Sequence, residues 1–216
     1  MLSLIQFLMQ LSSGIFMLFY HYALGKKSAK IADNLSLYFI LGVEFFTAAV
    51  WFTVFLILPD ASPILFWILA GILFAESLAS LFFYYRKSSA TALFIPRSIA
   101  QDFEIHAQNI KTHSDAFILG FLANIPELIF TLPLYCIAVV ILSSTNFLPH
   151  AAFIILYVIS AITPLFIIHA LYHTGHNFAD IERLRVRFKP LIRFLIFASF
   201  LITATLVINF GVINNG

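Results

Sequence analysis

The stretch that decides the fold is residues 116–142, AFILGFLANIPELIFTLPLYCIAVVIL. It is almost wholly apolar, and as one straight helix it would be about 40 Å long, more than the roughly 30 Å of hydrocarbon in a bilayer. Its middle nevertheless carries Asn124, Pro126 and Glu127, and Pro133 follows. A proline inside a helix removes a backbone donor and clashes with the preceding turn. The stretch therefore predicts a membrane-spanning helix that is broken at Pro126.

Glu127 is the first candidate functional residue, because a carboxylate far from either membrane surface is costly to keep. An ionisable residue at this depth is by default a hypothesis for a functional site. Backbone groups freed by the break need protein or water as partners, and Asn124 adds a neutral amide ligand beside them. We predict a proton or cation site here. The alternative is a carboxyl group that only joins helices by hydrogen bonding.

Composition predicts the class of protein. Of 216 residues, 62% are hydrophobic, 26 are Phe and only 10% are charged, whereas soluble domains have about 25% charged residues. So much apolar surface cannot be hidden inside a small globule, so most of it must face the lipid bilayer. The sequence predicts an all-α, polytopic membrane protein with six transmembrane helices. The six apolar segments are residues 2–24, 37–58, 64–85, 116–142, 151–172 and 191–213.

Charge placement predicts the orientation. The basic residues, 12 in all, lie in or beside three connections, and the other two connections and both termini have none. By the positive-inside rule the three basic connections are cytoplasmic and both termini lie outside the cell membrane. The basic residues are therefore topology signals, and the net charge of +2 gives little indication of nucleic-acid binding. The basic residues are Lys26, Lys27, Lys30, Arg86, Lys87, Arg97, Lys111, Arg183, Arg185, Arg187, Lys189 and Arg193.

The organisation is that of a single transmembrane domain, residues 1–216, in two halves. Residues 1–85 and 115–216 each hold three predicted spans, so the second half is inverted relative to the first. Residues 86–114 are predicted to be a cytoplasmic linker with a short amphipathic helix on the inner membrane surface. The sequence FILG occurs twice, at 39–42 and 117–120, but on the second and fourth spans, which is the wrong pairing for an inverted repeat.

Two more carboxylates lie at a similar depth. Glu44 is roughly 12 Å, Glu76 roughly 13 Å and Glu127 roughly 17 Å from the cytoplasmic end of its helix. We predict that these residues, with Asn124, surround one cavity open to the cytoplasm and bind the substrate or ion. The alternative is that each carboxyl group bonds separately to a neighbouring Ser, Thr or Tyr.

A histidine stripe ends the fifth span. His169, His173, His176 and Asp180 are spaced by four, three and four residues, which in a helix gives one face with the look of a metal-ligand set. Gly175 interrupts that helix, and no HExxH pattern accompanies it. A divalent metal is therefore an open possibility and no other cofactor is predicted. The alternative is histidines that face water or lipid headgroups.

This layout resembles a six-helix superfamily. The shared features are FILG opening the second span, FILG followed by a proline break in the fourth, and a central Pro164 with a basic linker after the fifth. The superfamily contains lysine exporters, cadmium-resistance permeases and the thiol-electron carriers of cytochrome c maturation. The resemblance covers about residues 11–208, in architecture more than in identity.

The resemblance also has a clear departure. The electron carriers place a Pro-Cys pair in helices one and four, whereas here residues 11–14 read LSSG and residues 125–128 read IPEL. The one cysteine, Cys136, lies farther along the fourth span. The resemblance therefore implies a transport-type member, in which proton or cation chemistry at Glu127 replaces thiol exchange.

These observations lead to one predicted function with two alternatives. The prediction is a small secondary transporter, not an enzyme, that exports a cation or small zwitterion coupled to protons. Its partners would be the bilayer and a small-molecule or ion substrate, and a homo-oligomer is left open. The first alternative is a non-catalytic scaffold or assembly subunit of the membrane. The second is an integral-membrane metalloenzyme that uses the stripe of His169, His173 and His176.

Overall fold

The computed structural model describes residues 2–12, 19, 29–58, 63–84, 97–143, 147–174 and 178–209. Within these ranges the chain is all-helical and contains no strand, which confirms the all-α part of the prediction. The six-span topology stays a prediction. The helices are α1 (Leu2–Ser12), α2 (Ala29–Ile57), α3 (Pro63–Tyr84), α4 (Arg97–Gln108), α5 (His113–Ala123), α6 (Leu128–Ser143), α7 (Phe147–His173) and α8 (Phe178–Val207).

Three described helices are long and apolar enough to cross a membrane, over Ile31–Ile57, Ala152–His173 and Pro190–Val207. The pair formed by α5 and α6 qualifies as a fourth span if its bend is part of the span, and α3 carries a shorter apolar stretch, Ile64–Ser80. Many large apolar side chains on these helices are exposed. Such a surface suits lipid better than water, so the chain is compatible with a membrane-embedded protein.

The predicted break is present. Helix α5 ends at Ala123, α6 begins at Leu128, and their axes are bent by 75°. In the turn between them the amides of Ile125, Glu127 and Leu128 each donate to the carbonyl three residues earlier. Pro126, which has no amide to satisfy, completes the turn. The chain thus changes direction while these backbone donors stay bonded, and α6 runs on through Pro133 without a second break.

Helices α2 and α5 run in the same direction. Tyr38 stacks on His113 with ring centroids 4.6 Å apart, and one to two turns farther along both helices Phe45 contacts Phe117 and Phe121. The contacting positions advance together along the two chains, as they do only in a parallel pair. This agrees with the prediction that both helices start from the same side of the membrane.

The two helices touch through the backbone at the FILG sequences. A Cβ atom added to Gly42 would lie 2.1 Å from the carbonyl oxygen of Phe117, and one added to Gly120 would lie 2.1 Å from that of Phe39. The contact is reciprocal, since the glycine of each FILG faces the phenylalanine carbonyl of the other. The recurrence therefore marks a local two-fold packing of parallel helices, a known use of small residues between membrane helices.

Helix α7 runs antiparallel to α2. His169 near the end of α7 contacts Ser36 near the start of α2, and Trp51 near the end of α2 packs on Phe153 and Tyr157. The starts of α2 and α5 and the end of α7 therefore share one end of the bundle. Helix α4 packs there too, so we call it the α4 end.

Helix α4 lies within residues 86–114, where the sequence predicts a short amphipathic helix. Its Phe103 and Ala107 are buried in a protein core shared with α2, α5 and α7. The Phe103 ring meets the Phe39 ring edge-on, with centroids 6.3 Å apart. This part of the apolar face is thus covered by protein, because α2 and α5 present an apolar groove at this end. The position of α4 relative to the membrane stays a prediction.

The glycine contact generates the first prediction. Alanine at Gly42 or Gly120 forces two backbones apart, and we expect a loss of about 1–3 kcal/mol of unfolding free energy, as in other overpacked sites. Gly71 on α3 is the matched control, because nothing lies within 4 Å of a Cβ added there. Gly71→Ala should be neutral or stabilising by up to about 1 kcal/mol, through helix propensity.

The measurement is reversible unfolding in mixed micelles, followed by circular dichroism, for the three single variants. Equal stability of Gly42→Ala, Gly120→Ala and Gly71→Ala would contradict the close approach of α2 and α5.

Candidate functional site

Glu127 is the last residue of the turn between α5 and α6. Its backbone carbonyl accepts hydrogen bonds from the amides of Phe130 and Thr131 and from the Thr131 hydroxyl, which fixes the first turn of α6. Its side chain is 8% exposed. The break therefore holds a buried carboxyl group at the start of a rigid helix, at the point where the chain changes direction.

Tyr135 lies two turns farther along α6 and is the centre of a polar cluster. Its hydroxyl is hydrogen-bonded to Thr47 of α2 and to Tyr157 of α7, and the carboxyl groups of Glu44 and Glu127 both act on it electrostatically. Tyr135 and Tyr157 are among the most completely buried side chains of the described residues. Polar groups from α2, α6 and α7 thus converge inside an otherwise apolar core.

Glu44 is the member of this cluster whose carboxyl group lacks hydrogen bonds. It lies one turn before Thr47 on α2, and neither of its buried carboxyl oxygens has a hydrogen-bond partner in the described part of the chain. A buried polar group left in this way costs several kcal/mol, about 2–7 on transfer scales. The arrangement therefore favours uptake of a proton, a water molecule or a cation at Glu44.

Glu76 lies elsewhere. It is 8% exposed on α3, and it is not among the groups that act on Tyr135. The next residue, Ser77, donates a hydrogen bond of 3.1 Å to the carbonyl of Phe197 on α8. Glu44 and Glu127 thus both act on Tyr135, whereas Glu76 precedes a residue that contacts α8. That the three carboxyl groups share one cavity stays a prediction.

Asn124 is buried at the break and caps the end of α5. Its side-chain amide donates to the Gly120 carbonyl at 3.4 Å, and its backbone carbonyl accepts from the amide of Glu127. Gly120 is the same residue that touches α2. The predicted neutral ligand therefore links the glycine contact to the turn that carries Glu127.

A second polar cluster lies at the α4 end. The His169 ring bridges two helices, with Nδ1 2.7 Å from the Ser36 Oγ and Nε2 3.1 Å from the Asp33 Oδ1. The Ser36 hydroxyl also lies 2.8 Å from the Asp33 carbonyl oxygen. Asp33, Ser36 and His169, with Tyr172 and His173, line a cavity of about 60 Å³.

The predicted metal stripe is not assembled by the described residues. Within the described ranges no group of three His, Cys, Asp or Glu side chains is arranged to hold a metal ion. Both ring nitrogens of His169 face Ser36 and Asp33, and Asp180 is 3.5 Å from Arg183 in an ion pair. His176 lies outside the described residues. A metal at His169 and His173 would have to displace contacts that the structure already has.

The Asp33, Ser36 and His169 side chains contain the groups of a hydrolase triad, but their setting does not suit one. In a triad the serine oxygen must reach a substrate carbonyl beside donors for the developing oxyanion. Ser36 has no exposed surface, and it lies inside a helix whose amides are used by the helix itself. The arrangement joins α2 to α7, and it does not favour acyl transfer.

Sequence reasoning missed Tyr135, Thr47 and Asp33. A signal for Tyr135 was present, because Glu127, Thr131 and Tyr135 recur every four residues and so share one face of a helix. Asp33 and His169 are far apart along the chain, and nothing local indicated that they meet.

Comparison with protein-family models, with curated proteins and with solved structures gave no match to this chain. The resemblance to the six-helix exporter superfamily therefore stays a prediction, and the site has to be interpreted from its own geometry.

The cluster around Tyr135 generates the second prediction. Tyr135→Phe removes the hydroxyl that joins α2, α6 and α7 and leaves Tyr157 without this partner. We expect a loss of about 1–3 kcal/mol of unfolding free energy, the usual cost of a buried group deprived of its hydrogen bond. Tyr38→Phe is the matched control, since Tyr38 is 41% exposed and keeps its ring stack. It should change stability by less than about 0.5 kcal/mol.

Unfolding of the two variants in the same detergent compares the two hydroxyls directly. Identical small effects would mean that the Tyr135 hydroxyl is not part of a hydrogen-bonded cluster.

Proposed function

We propose that this protein is a small secondary transporter that exports a cation or small zwitterion across the cell membrane in exchange for protons. The observation that carries the proposal is that Glu44 of α2 and Glu127 of the turn before α6 both act electrostatically on the buried Tyr135. Glu127 and Glu44 would hold the proton or the cation, and Asn124 would keep the break in place. Glu76 would serve the packing of α3 on α8.

Coupling follows from charge. Two carboxylates near one another in a medium of low dielectric constant repel, and each ionised group also loses hydration there. A bound proton or a bound cation relieves both costs. Because proton and cation then compete for the same two groups, release of one favours binding of the other. This competition is the minimal requirement for exchange.

The bend supplies a moving part. Backbone contact at Gly42 and Gly120 fixes α5 against α2. Among the described residues, α6 makes no comparable glycine contact with another helix. A change of angle at residues 124–127 would therefore displace α6, which carries Tyr135, relative to Glu44. Breaks of this kind near bound ions are common in secondary transporters.

The proposed topology has six spans as two inverted halves. The first is the predicted span of residues 2–24, which begins with α1, and the others are formed by α2, α3, the broken pair α5 and α6, α7, and α8. Helix α3 has 22 residues, which gives about 33 Å, enough to cross the hydrocarbon. The α4 end would face the cytoplasm, because Lys111 and the basic connections lie at the ends of the helices that meet there.

The alternatives have less support. A scaffold subunit would be expected to use its buried carboxyl groups in helix contacts, yet the oxygens of Glu44 have no hydrogen-bond partner in the described part of the chain. A metalloenzyme would need the imidazole of His169, whose two nitrogens face Ser36 and Asp33.

The third prediction concerns transport. Purified protein in liposomes with an imposed pH gradient should move at least one member of a panel of metal ions and amino acids. Glu127→Gln and Glu44→Gln keep shape and hydrogen bonding but cannot ionise, so pH-driven uptake should fall to the background of empty liposomes. Glu127→Asp should keep part of the rate.

Glu104→Gln on α4 is the matched control, because Glu104 lies outside the cluster and accepts an exposed hydrogen bond from Gln108 of the same helix. It should transport like the unchanged protein. Normal pH-driven uptake by Glu127→Gln and Glu44→Gln would show that the carboxyl pair is structural, and absence of uptake of every substrate by the unchanged protein would favour the scaffold.

A further inference from the structure

The cluster of Asp33, Ser36 and His169 is a separate site from the one around Tyr135. Ser36 and Glu44 are eight residues apart on α2, which corresponds to about 12 Å along the helix. The cluster joins α2 to α7 across a sequence separation of 133 residues. Its contacts do not depend on what the pair Glu44 and Glu127 does.

The hydrogen-bond geometry suits two protonation states of His169. The Ser36 hydroxyl has one proton, and its oxygen is 2.8 Å from the Asp33 carbonyl oxygen and 2.7 Å from the His169 Nδ1. If the hydroxyl donates to the carbonyl, its oxygen accepts from a protonated Nδ1, and His169 is an imidazolium. If it donates to Nδ1, His169 is neutral. Nε2–H donates to Asp33 in both states.

A proton can therefore be gained or lost with rotation of a single hydroxyl hydrogen and no movement of heavier atoms. The charged and titratable groups that act on His169 include Asp33 of α2 and His173 of α7. Helices α4 and α5 contribute apolar side chains to this region, among them Phe103 and Ala116. One carboxylate and one neighbouring imidazole thus act on the protonation state of His169.

The size of the cavity decides between ligands. At about 60 Å³ it has room for a few water molecules, each of which needs about 10–15 Å³. Sites for organic molecules are larger, about 300–1,000 Å³. The Asp33 side chain is 36% exposed, so water in the cavity can exchange protons with the cluster. Ser36, which also lines the cavity, is wholly buried.

We propose that Asp33, Ser36 and His169 form a proton-binding site at the α4 end, filled from the water cavity, whose ligand is the proton itself. When His169 is protonated, α2 and α7 are joined by an ion pair and a hydrogen bond. When His169 is neutral, they are joined by two hydrogen bonds of the neutral imidazole. The type of contact that links α2 to α7 therefore depends on the pH on the side of the membrane that the site faces.

The fourth prediction uses nitrogen NMR of ¹⁵N-histidine-labelled protein in nanodiscs, with His169 assigned by His169→Gln. Between about pH 5 and about pH 8, the range in which imidazoles titrate, His169 should convert between imidazolium and one neutral tautomer. That tautomer should carry its proton on Nε2. The chemical shift of Nδ1 should show that Nδ1 accepts a hydrogen bond from Ser36. Ser36→Ala should abolish this effect of the hydrogen bond on the Nδ1 chemical shift and should leave the proton on Nε2.

Two further variants make the test specific. Asp33→Asn, which removes the carboxylate, should change the midpoint of the His169 titration and admit the other neutral tautomer. His173→Gln is the matched control and should leave the tautomer unchanged. A neutral form protonated on Nδ1, no titration in the folded protein, or spectra unaffected by Ser36→Ala and Asp33→Asn would each overturn the proposal. The readout involves no transport, so it can fail or succeed independently of the proposed function.

Discussion

The contact on which the rest of the structure depends is the backbone approach of α2 and α5 at Gly42 and Gly120. Two missing Cβ atoms let the helices touch over both FILG sequences. This fixes α5 against α2, and the turn through Pro126 then directs α6 away from the axis of α5. Tyr135 consequently reaches Thr47 and the region of Glu44. A side chain at either glycine would shift α5, the turn and the carboxyl cluster together.

Helix α2 carries both polar clusters. Asp33 and Ser36 lie at its start and Glu44 and Thr47 about two turns deeper, and α7 faces both through His169 and Tyr157. Buried polar groups in an apolar bundle are costly unless they are bonded. In the proposed function, α2 and α7 would form a frame for proton chemistry at two depths, and α6 would be the element that bends relative to it.

The sequence predicted what depends on local chemistry. The all-helical class, the break at Pro126, a short helix within residues 86–114 and the burial of Glu127 follow from hydropathy, proline and helical spacing. Contacts between distant segments did not follow. FILG was visible as a repeat, but only the reciprocal approach of Gly42 and Phe117 shows its meaning. The sequence pattern groups His169 with residues of its own helix, whereas its partners in the structure are Asp33 and Ser36 of α2. Helical spacing alone gives no information about contacts with neighbouring helices.

The most direct test of this account is cross-linking of α2 to α5 in a Cys136→Ala background, which removes the one native cysteine. A short thiol-specific reagent should join the cysteines of Tyr38→Cys/His113→Cys and of Phe45→Cys/Phe121→Cys, whose parent rings have centroids 4.6 Å and 6.2 Å apart. It should not join those of the mismatched pair Tyr38→Cys/Phe121→Cys. Efficient linking of the mismatched pair, or none of the matched pairs, would contradict the parallel glycine contact and with it the placement of both carboxylates.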